Sequence, residues 1–304
     1  MARPGKFRPS KSARWWLTRL LLLLASLAAS LGVVELGLRA YPWLYMRYRA
    51  EPLELPSQGA ALVYVMGDSV PAGLRIDAAD AWPTWLGRLL AERPGPQVQV
   101  YNAAQPGASL FALLKDQTSA LYQVQPGTPL IAILQVGHND LFSMVNEGMA
   151  VTAGDAEMNS LWTELRLLRV FHSWAERKRR WSAPDKVSEE AQARFARDVK
   201  RVCGPVQERG GRCLLATYPV CGMVGRERTE YYARGHNRIR NAQLTVNQLL
   251  RATAKTDDLK LLDFEEQVSL PVVWSEDYCA DAVHPSAAIH HKMAEVALAQ
   301  LFPS

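Results

Sequence analysis

The 304 residues suffice for one large domain with a substantial core. The formal net charge of +5 would suit a nucleic-acid-binding protein, but the charge is unevenly distributed. Residues 1–50 carry nine Lys and Arg and one acid, Glu35, whereas the remaining 254 residues carry 26 basic and 29 acidic side chains. A basic groove for the phosphates of a nucleic acid is therefore not predicted.

The N-terminal segment is predicted to cross a membrane. A mostly apolar stretch from Leu17 to Leu38 would form a helix about 33 Å long, enough to span the hydrocarbon core. Aromatic residues flank this stretch, as is typical at membrane interfaces: Trp15, Trp16, Tyr41, Trp43 and Tyr45. We predict a basic cytoplasmic tail over 1–14, a transmembrane signal-anchor helix over 15–41 that stops at Pro42, and a linker over 42–58.

A cleaved signal peptide is the competing interpretation, because residues 25–30 are mostly small. The apolar run continues beyond them to Leu38, so cleavage there would leave an apolar new N-terminus. Basic residues are more numerous before the span than after it. This bias predicts a single-pass protein of the cell membrane with its N-terminus in the cytoplasm and its catalytic domain periplasmic or extracellular.

Short apolar runs alternate with helical patterns along the rest of the chain. The runs cover 61–66, 98–103, 129–136, 213–217 and 259–264, and the helices predicted among them cover 80–93, 109–123, 187–209, 231–256 and 286–301. Several runs are apolar throughout, which is typical of parallel strands buried on both faces. The alternation predicts an α/β domain over 59–304 with a sheet covered on both sides.

The long interval over 141–186 interrupts this alternation. Leu161, Leu165, Leu168 and Phe171 recur there at helical spacing, and a basic run follows at 176–181. A cap over a site, a helix on a membrane surface and a peripheral helix with a solvated basic end all fit the pattern.

Polar residues gather where the predicted strands end. The sets are Gly67-Asp68-Ser69, Asn102 with Gly107, Gly137-His138-Asn139-Asp140, and, near the C-terminus, Asp281-Ala-Val-His284-Pro285. Ligands of α/β sheets bind beyond the carboxyl ends of the strands. Together the four sets supply a nucleophile, hydrogen-bond donors and a base with an orienting carboxylate, which are the groups that acyl transfer needs.

In these four blocks the sequence resembles the SGNH hydrolases, also called the GDSL esterase/lipase family, over residues 61–300. Two departures are small: Val70 stands where Leu is usual, and Ala103-Ala104 fill a segment often richer in Gly. The resemblance implies a three-layer α/β/α domain with a mostly parallel five-stranded sheet of SGNH or flavodoxin-like type. It also implies a serine hydrolase that acts on ester bonds.

The resemblance assigns roles to individual residues. Ser69 would be the nucleophile, His284 the base and Asp281 the carboxylate that orients the imidazole. An oxyanion hole would combine the backbone N–H groups of Ser69 and Gly107 with the side-chain amide of Asn139.

Other polar residues receive structural interpretations. Asp68 is predicted to be a turn or helix-cap residue, His138 receives no role, and His290 and His291 are expected at the surface. The sequence contains no His-Glu-x-x-His, P-loop or Rossmann motif, so neither a metal nor another cofactor is predicted.

The four cysteines include no Cys-x-x-Cys pair, so a zinc site is not predicted. An exported domain could contain either two disulfides or four reduced, buried cysteines. The fold implied by the resemblance puts Cys221 and Cys279 at the same edge of the sheet. We therefore expect a 221–279 disulfide, with Cys203 and Cys213 left over.

The expected function is a serine esterase that hydrolyses an acyl ester, with acetyl favoured, outside the cytoplasm. An acylated carbohydrate is preferred to a lipid because no long apolar stretch lies between the blocks. A lipid or lysophospholipid hydrolase, and an acyltransferase in which a glycan hydroxyl replaces water, are the alternatives. A non-catalytic binding domain is disfavoured because no catalytic position is missing.

Overall fold

A computed structural model of the chain describes residues 11–49, 60–110, 113, 118–121, 123–125, 127–140, 189–221, 230–268, 277–281 and 283–303. The chain divides into two compact units, one containing the N-terminal helix and the other containing the α/β domain. The interval over 141–186 and the linker residues 50–58 lie outside the described residues.

The N-terminal helix, α1, covers Lys11–Arg49. Its segment Thr18–Gly37 is long and apolar enough to cross a membrane, a property shared by anchors and signal sequences. The helix continues through Pro42, where the sequence predicted its end. Proline has a helical φ and removes a single N–H donor, so the chain can remain helical on both sides of it.

Five strands form one parallel sheet. They are β1 Ala61–Gly67, β2 Val98–Asn102, β3 Leu130–Gln135, β4 Arg212–Ala216 and β5 Lys260–Leu262. Their order is β2-β1-β3-β4-β5, and every neighbouring pair is parallel. This sheet confirms the predicted fold class.

The described helices of this domain lie close to the predicted ones. They are α2 Trp82–Ala91, α3 Thr118–Leu121, α4 Glu189–Gln207, α5 Glu230–Thr256, α6 Phe264–Gln267 and α7 Ala287–Leu301, with a short 3-10 helix at Ala78–Asp80. Helix α6 was not predicted. The Asp263 side chain caps it by accepting a hydrogen bond from the Glu266 N–H, so β5 ends at Leu262.

The order of the strands determines where a site can form. Strands β2 and β3 lie on opposite sides of β1, so right-handed connections place helices on both faces of the sheet. The side chains of Leu62–Met66 in β1 are fully buried, as expected for a strand covered on both faces. The change of direction at β1 opens a crevice at the carboxyl ends of β1 and β3.

Candidate active site

The carboxyl end of β1 holds Ser69 at this crevice. Gly67 is required there because a Cβ atom on it would collide with the carbonyl oxygen of Gln135 on β3. The chain then turns tightly, with the Leu74 N–H donating to the Ser69 carbonyl at 3.0 Å. The turn leaves the half-buried Ser69 side chain beyond the end of the strand.

Ser69, His284 and Asp281 form a hydrogen-bonded chain. His284 Nε2 lies 2.9 Å from Ser69 Oγ, and His284 Nδ1 lies 2.9 and 2.8 Å from the two carboxylate oxygens of Asp281. The Asp281 carboxylate accepts a hydrogen bond from the Nδ1–H group, which leaves Nε2 as the acceptor for the Ser69 hydroxyl. The structure therefore brings the three predicted residues together in the order that proton transfer requires.

Hydrogen bonds keep Asp281 ionised. Burial raises its pKa, but the His284 side chain and the backbone N–H groups of His284 and Val283 all donate to the carboxylate. These donors outweigh burial, and the pKa of Asp281 falls below its ordinary value. An ionised carboxylate at this position stabilises a protonated His284.

Hydrogen bonds within the loop that carries Asp281 and His284 close it at both ends, and one further hydrogen bond joins it to α5. The Ala280 N–H donates to the His284 carbonyl at 2.8 Å, and the Ser286 N–H donates to the Tyr278 carbonyl at 2.9 Å. The buried Gln243 on α5 donates to the Val283 carbonyl at 3.2 Å. The loop thus has several supports outside the three reacting groups.

Two disulfides join the four cysteines. Cys221, in the segment after β4, is bonded to Cys279 in the loop of Asp281 and His284, with a Cα–Cα separation of 5.9 Å. Cys203 on α4 is bonded to Cys213 at the start of β4, with a Cα–Cα separation of 5.6 Å. The first disulfide is attached to the loop of Asp281 and His284, whereas the second lies toward the amino end of β4.

The segment after β2 carries Gly107. Its φ of 81° lies in the left-handed region that favours glycine. Among the described residues, the backbone N–H groups of Ser69 and Gly107 donate to no protein acceptor. Asn139 Nδ2 donates to the Ala108 carbonyl at 2.9 Å, so this amide lies beside Gly107 and keeps a second N–H for another acceptor.

Asp140 connects the segments that follow β2 and β3. Its carboxylate accepts the Leu110 N–H at 3.0 and 3.2 Å. Burial raises the pKa of Asp140 to about 7, although the Leu110 N–H opposes the rise. Asp140 therefore helps to position the backbone next to Gly107.

Asp68 is fully buried below Ser69. Its carboxylate accepts the Val70 N–H at 3.1 Å, which is the turn role predicted for it, and the Tyr218 hydroxyl at 2.7 Å. Burial raises the pKa of Asp68 to about 6, and the hydrogen bond from Tyr218 limits the rise. The His138 ring packs edge-on to Tyr218 with a centroid separation of 5.1 Å, and burial lowers the pKa of His138 to about 4.

The expectation for His290 was wrong. Its side chain is fully buried, and its Nδ1 accepts the backbone N–H of Trp82 at 3.1 Å, because α7 packs on the start of α2. His291 is half-buried; it stacks on Trp85 and lies 3.1 Å from Asp80 Oδ1. No group of three His, Cys, Asp or Glu residues in the described ranges is arranged to hold a metal ion.

Sequence reasoning assigned no role to Tyr218, Asp140 or Gln243. Tyr218 follows β4 almost directly, so the criterion of polar residues at strand ends would have found it if applied to the fourth strand. Asp140 belongs to the predicted block over 137–140, but its role as an acceptor depends on a contact with Leu110 that exists only in the folded chain. Gln243 lies within a long helix and gave no signal of its own.

Tyr218→Phe tests the buried Asp68–Tyr218 hydrogen bond. The hydrogen bond favours the charged form of Asp68, so its loss should lower the free energy of unfolding by about 1–3 kcal/mol above pH 6. Protonation of Asp68 as the pH falls through about 6 should shrink this loss. Denaturant unfolding at pH 8 and pH 5 measures the difference.

Tyr278→Phe is the matched control, because the Tyr278 hydroxyl bonds no carboxylate in the part of the chain that the structure describes. It should change stability little at either pH. A loss for Tyr218→Phe that is equal at pH 5 and pH 8 would contradict an ionised Asp68 as the acceptor.

Comparison with known proteins identifies the family of the chain. A model of the GDSL-like lipase/acylhydrolase family matches residues 65–292. Among curated proteins, none matches the sequence significantly.

Solved structures of similar chains include TesA, at 19% identity and a TM-score of 0.47, with 80% of this chain and 98% of that chain covered. A phospholipase A1 from Streptomyces albidoflavus NA297 has 15% identity and a TM-score of 0.46, with coverages of 78% and 98%. A GDSL-like lipase from Bacteroides thetaiotaomicron VPI-5482 has 11% identity and a TM-score of 0.48, with coverages of 82% and 91%.

The family model covers most of the chain and begins within β1, just before Ser69. It ends on α7, beyond His284. The chain therefore belongs to the GDSL-like lipase/acylhydrolase family, whose members are hydrolases that act on esters.

Proposed function

We propose that this protein is a serine esterase that uses Ser69, His284 and Asp281 to hydrolyse an acyl ester, with acetyl the favoured acyl group, outside the cytoplasm. The observation that carries the proposal is the continuous hydrogen-bonded chain from Ser69 Oγ through His284 to the Asp281 carboxylate. A carboxylate, an imidazole and a hydroxyl in this order activate a serine nucleophile.

The acylation step follows from these contacts. Ser69 Oγ forms a bond to the ester carbonyl carbon while its proton passes to His284 Nε2. The carbonyl oxygen becomes an oxyanion, for which the backbone N–H groups of Ser69 and Gly107 and the amide of Asn139 are the proposed donors. The carbon–oxygen bond to the alcohol then breaks, and the alcohol leaves with the proton from His284.

Deacylation repeats these steps with water. Water loses a proton to His284 Nε2 and attacks the acyl carbon, and the released Ser69 oxygen takes that proton back. Asp281 remains ionised throughout and stabilises the imidazolium that forms in each half-reaction.

Alanine variants of the proposed residues test the mechanism. Ser69→Ala and His284→Ala should abolish ester turnover without unfolding the chain, since neither side chain belongs to the hydrophobic core. Asn139→Ala should lower turnover by about 10²–10³, the usual effect of losing one oxyanion donor. His291→Ala is the matched control for His284→Ala and should keep its activity.

The substrates for this assay are p-nitrophenyl acetate, butyrate and octanoate, hydrolysed by the full chain in detergent with and without oligosaccharide acceptors. Fastest turnover of acetate supports the favoured acyl group, a preference for octanoate indicates a lipid hydrolase, and acylated oligosaccharide indicates a transferase. Full activity of Ser69→Ala would contradict the mechanism.

The Cys221–Cys279 disulfide is proposed to position the loop of Asp281 and His284. Chain entropy predicts a stability loss of about 4 kcal/mol when this disulfide is removed and about 3 kcal/mol for Cys203–Cys213. The double variant C221S/C279S should lower kcat by about tenfold to 10²-fold, because small displacements of reacting groups are costly. The double variant C203S/C213S should keep kcat.

Both double variants are to be assayed at a temperature where circular dichroism shows them folded. Equal kcat values for the two variants would contradict a positional role for Cys221–Cys279.

We further propose that α1 anchors the protein in the cell membrane with the catalytic domain on the outer side. Support comes from the apolar segment Thr18–Gly37 and from the excess of basic residues before it. The protein should stay in the membrane fraction after salt and carbonate washing. Protease digestion of the domain from the cytoplasmic face alone would contradict this topology, and a mature chain starting near Leu31 would establish a signal peptide instead.

A further inference from the structure

Arg75 lies at the edge of the candidate site and has no close hydrogen-bond partner among the described residues. Its Nε atom is 3.5 Å from Asp281 Oδ2, within ion-pair distance, and its side chain is 66% exposed. Among the described residues, the guanidinium makes no other polar contact. Most of its N–H donors are therefore open to solvent beside the carboxylate that orients His284.

The backbone at Arg75 is strained. Its φ of 77° lies in the left-handed region, which a side chain with a Cβ atom adopts at a cost. Arg75 and Asp258 are the non-glycine residues with positive φ in the described part of the chain, and Arg75 follows the turn after Ser69. Glycine would adopt this backbone conformation without strain. We therefore infer that the arginine side chain has a role that offsets the strain.

Arg251 shows what an arginine with a structural role looks like in the same protein. It donates to both Asp263 oxygens at 2.7 Å and to Glu265 at 2.8 Å, and its side chain is 35% exposed. Within the described part of the chain, Arg75 has no such set of short hydrogen bonds. A single long, exposed ion pair contributes little to stability, so the contact with Asp281 does not account for the strain.

We propose that Arg75 binds an anionic group, a carboxylate or a phosphate, on the alcohol portion of the ester substrate. A guanidinium with free N–H groups recognises such anions through paired hydrogen bonds. The proposal deepens the proposed esterase function and rests on it.

The position of Arg75 indicates the alcohol portion. The departing alcohol takes its proton from His284 Nε2 and therefore leaves on the side of His284. Arg75 contacts Asp281, the residue that holds this imidazole, whereas two of the three proposed oxyanion donors come from the segments of Gly107 and Asn139. A substrate anion bound to Arg75 would also offset the positive charge of the guanidinium near Asp281. The Asp281 carboxylate would then stabilise the imidazolium of His284 more strongly.

Paired esters measure this recognition on the full chain in detergent. 4-Acetoxybenzoate and 4-acetoxybenzamide differ in a negative charge on the alcohol portion, and 4-acetoxyphenyl phosphate distinguishes a phosphate preference from a carboxylate preference. Arg75→Gln should lower the kcat/KM ratio of charged to neutral ester by about tenfold to 10²-fold, the worth of a charge-assisted hydrogen bond. Arg75→Lys keeps the charge but lacks the paired N–H donors of the guanidinium. Its kcat/KM ratio should lie between those of Arg75→Gln and the native protein.

Arg201→Gln is the matched control. Arg201 is similarly exposed, at 70%, and is paired with Asp198 at 3.2 Å on α4. This variant loses the same charge and should keep the native ratio. Arg75→Gly separates recognition from folding, because glycine adopts a positive φ without strain. This variant should unfold at the same or a higher temperature than the native chain, and its kcat/KM ratio of charged to neutral ester should still fall.

Other outcomes overturn the proposal. If Arg75→Gln lowers turnover of the charged and neutral esters by the same factor, Arg75 acts only through Asp281. 4-Nitrophenyl hemisuccinate and 4-nitrophenyl butyrate differ in a negative charge on the acyl portion. If Arg75→Gln lowers the kcat/KM ratio of charged to neutral ester for this pair and not for the acetoxy pair, the anion lies on the acyl portion. Absence of turnover of every ester by the native chain would overturn the proposed esterase function as well.

Discussion

The contact between Ser69 and His284 joins two residues that lie 215 positions apart in the chain, and the rest of the site is arranged around it. Ser69 is held by the end of β1, at the point where the strand order changes direction. His284 comes from the loop before α7, which the Cys221–Cys279 disulfide and the Gln243 side chain hold in place. A hydrogen bond of 2.9 Å tolerates little movement of either segment, which is why we propose a positional role for the disulfide.

A layer of buried polar groups lies beneath the site. Asp68, Tyr218, His138 and Asp140 are all buried at the carboxyl ends of the strands, where an apolar core would otherwise continue. Burial raises the pKa values of both carboxyl groups, to about 6 for Asp68 and about 7 for Asp140, and lowers that of His138 to about 4. Asp281 differs because its hydrogen-bond donors outweigh burial and keep its pKa low. Of these three carboxyl groups, the one hydrogen-bonded to His284 is thus the most firmly ionised.

The sequence predicted the sheet well, because apolar runs are local patterns. It also located the blocks of Ser69 and His284, which the structure brings together. It predicted boundaries less well where a single side chain decides them, as Asp263 does by capping α6. It also misjudged His290, whose burial follows from the packing of α7 on α2 rather than from its own surroundings in the sequence. Gln243 and Arg75 could not be found in this way, since their contacts with the loop of Asp281 exist only in the folded chain.

Covalent labelling can show whether Ser69 is a nucleophile activated by His284. A fluorophosphonate reacts with an activated serine and leaves an adduct that mass spectrometry of a digest can locate. We expect one adduct on the native chain, on the peptide that contains Ser69, and none on His284→Ala over the same time. Labelling of a different serine, or equal labelling of Ser69 with and without the His284 imidazole, would contradict it.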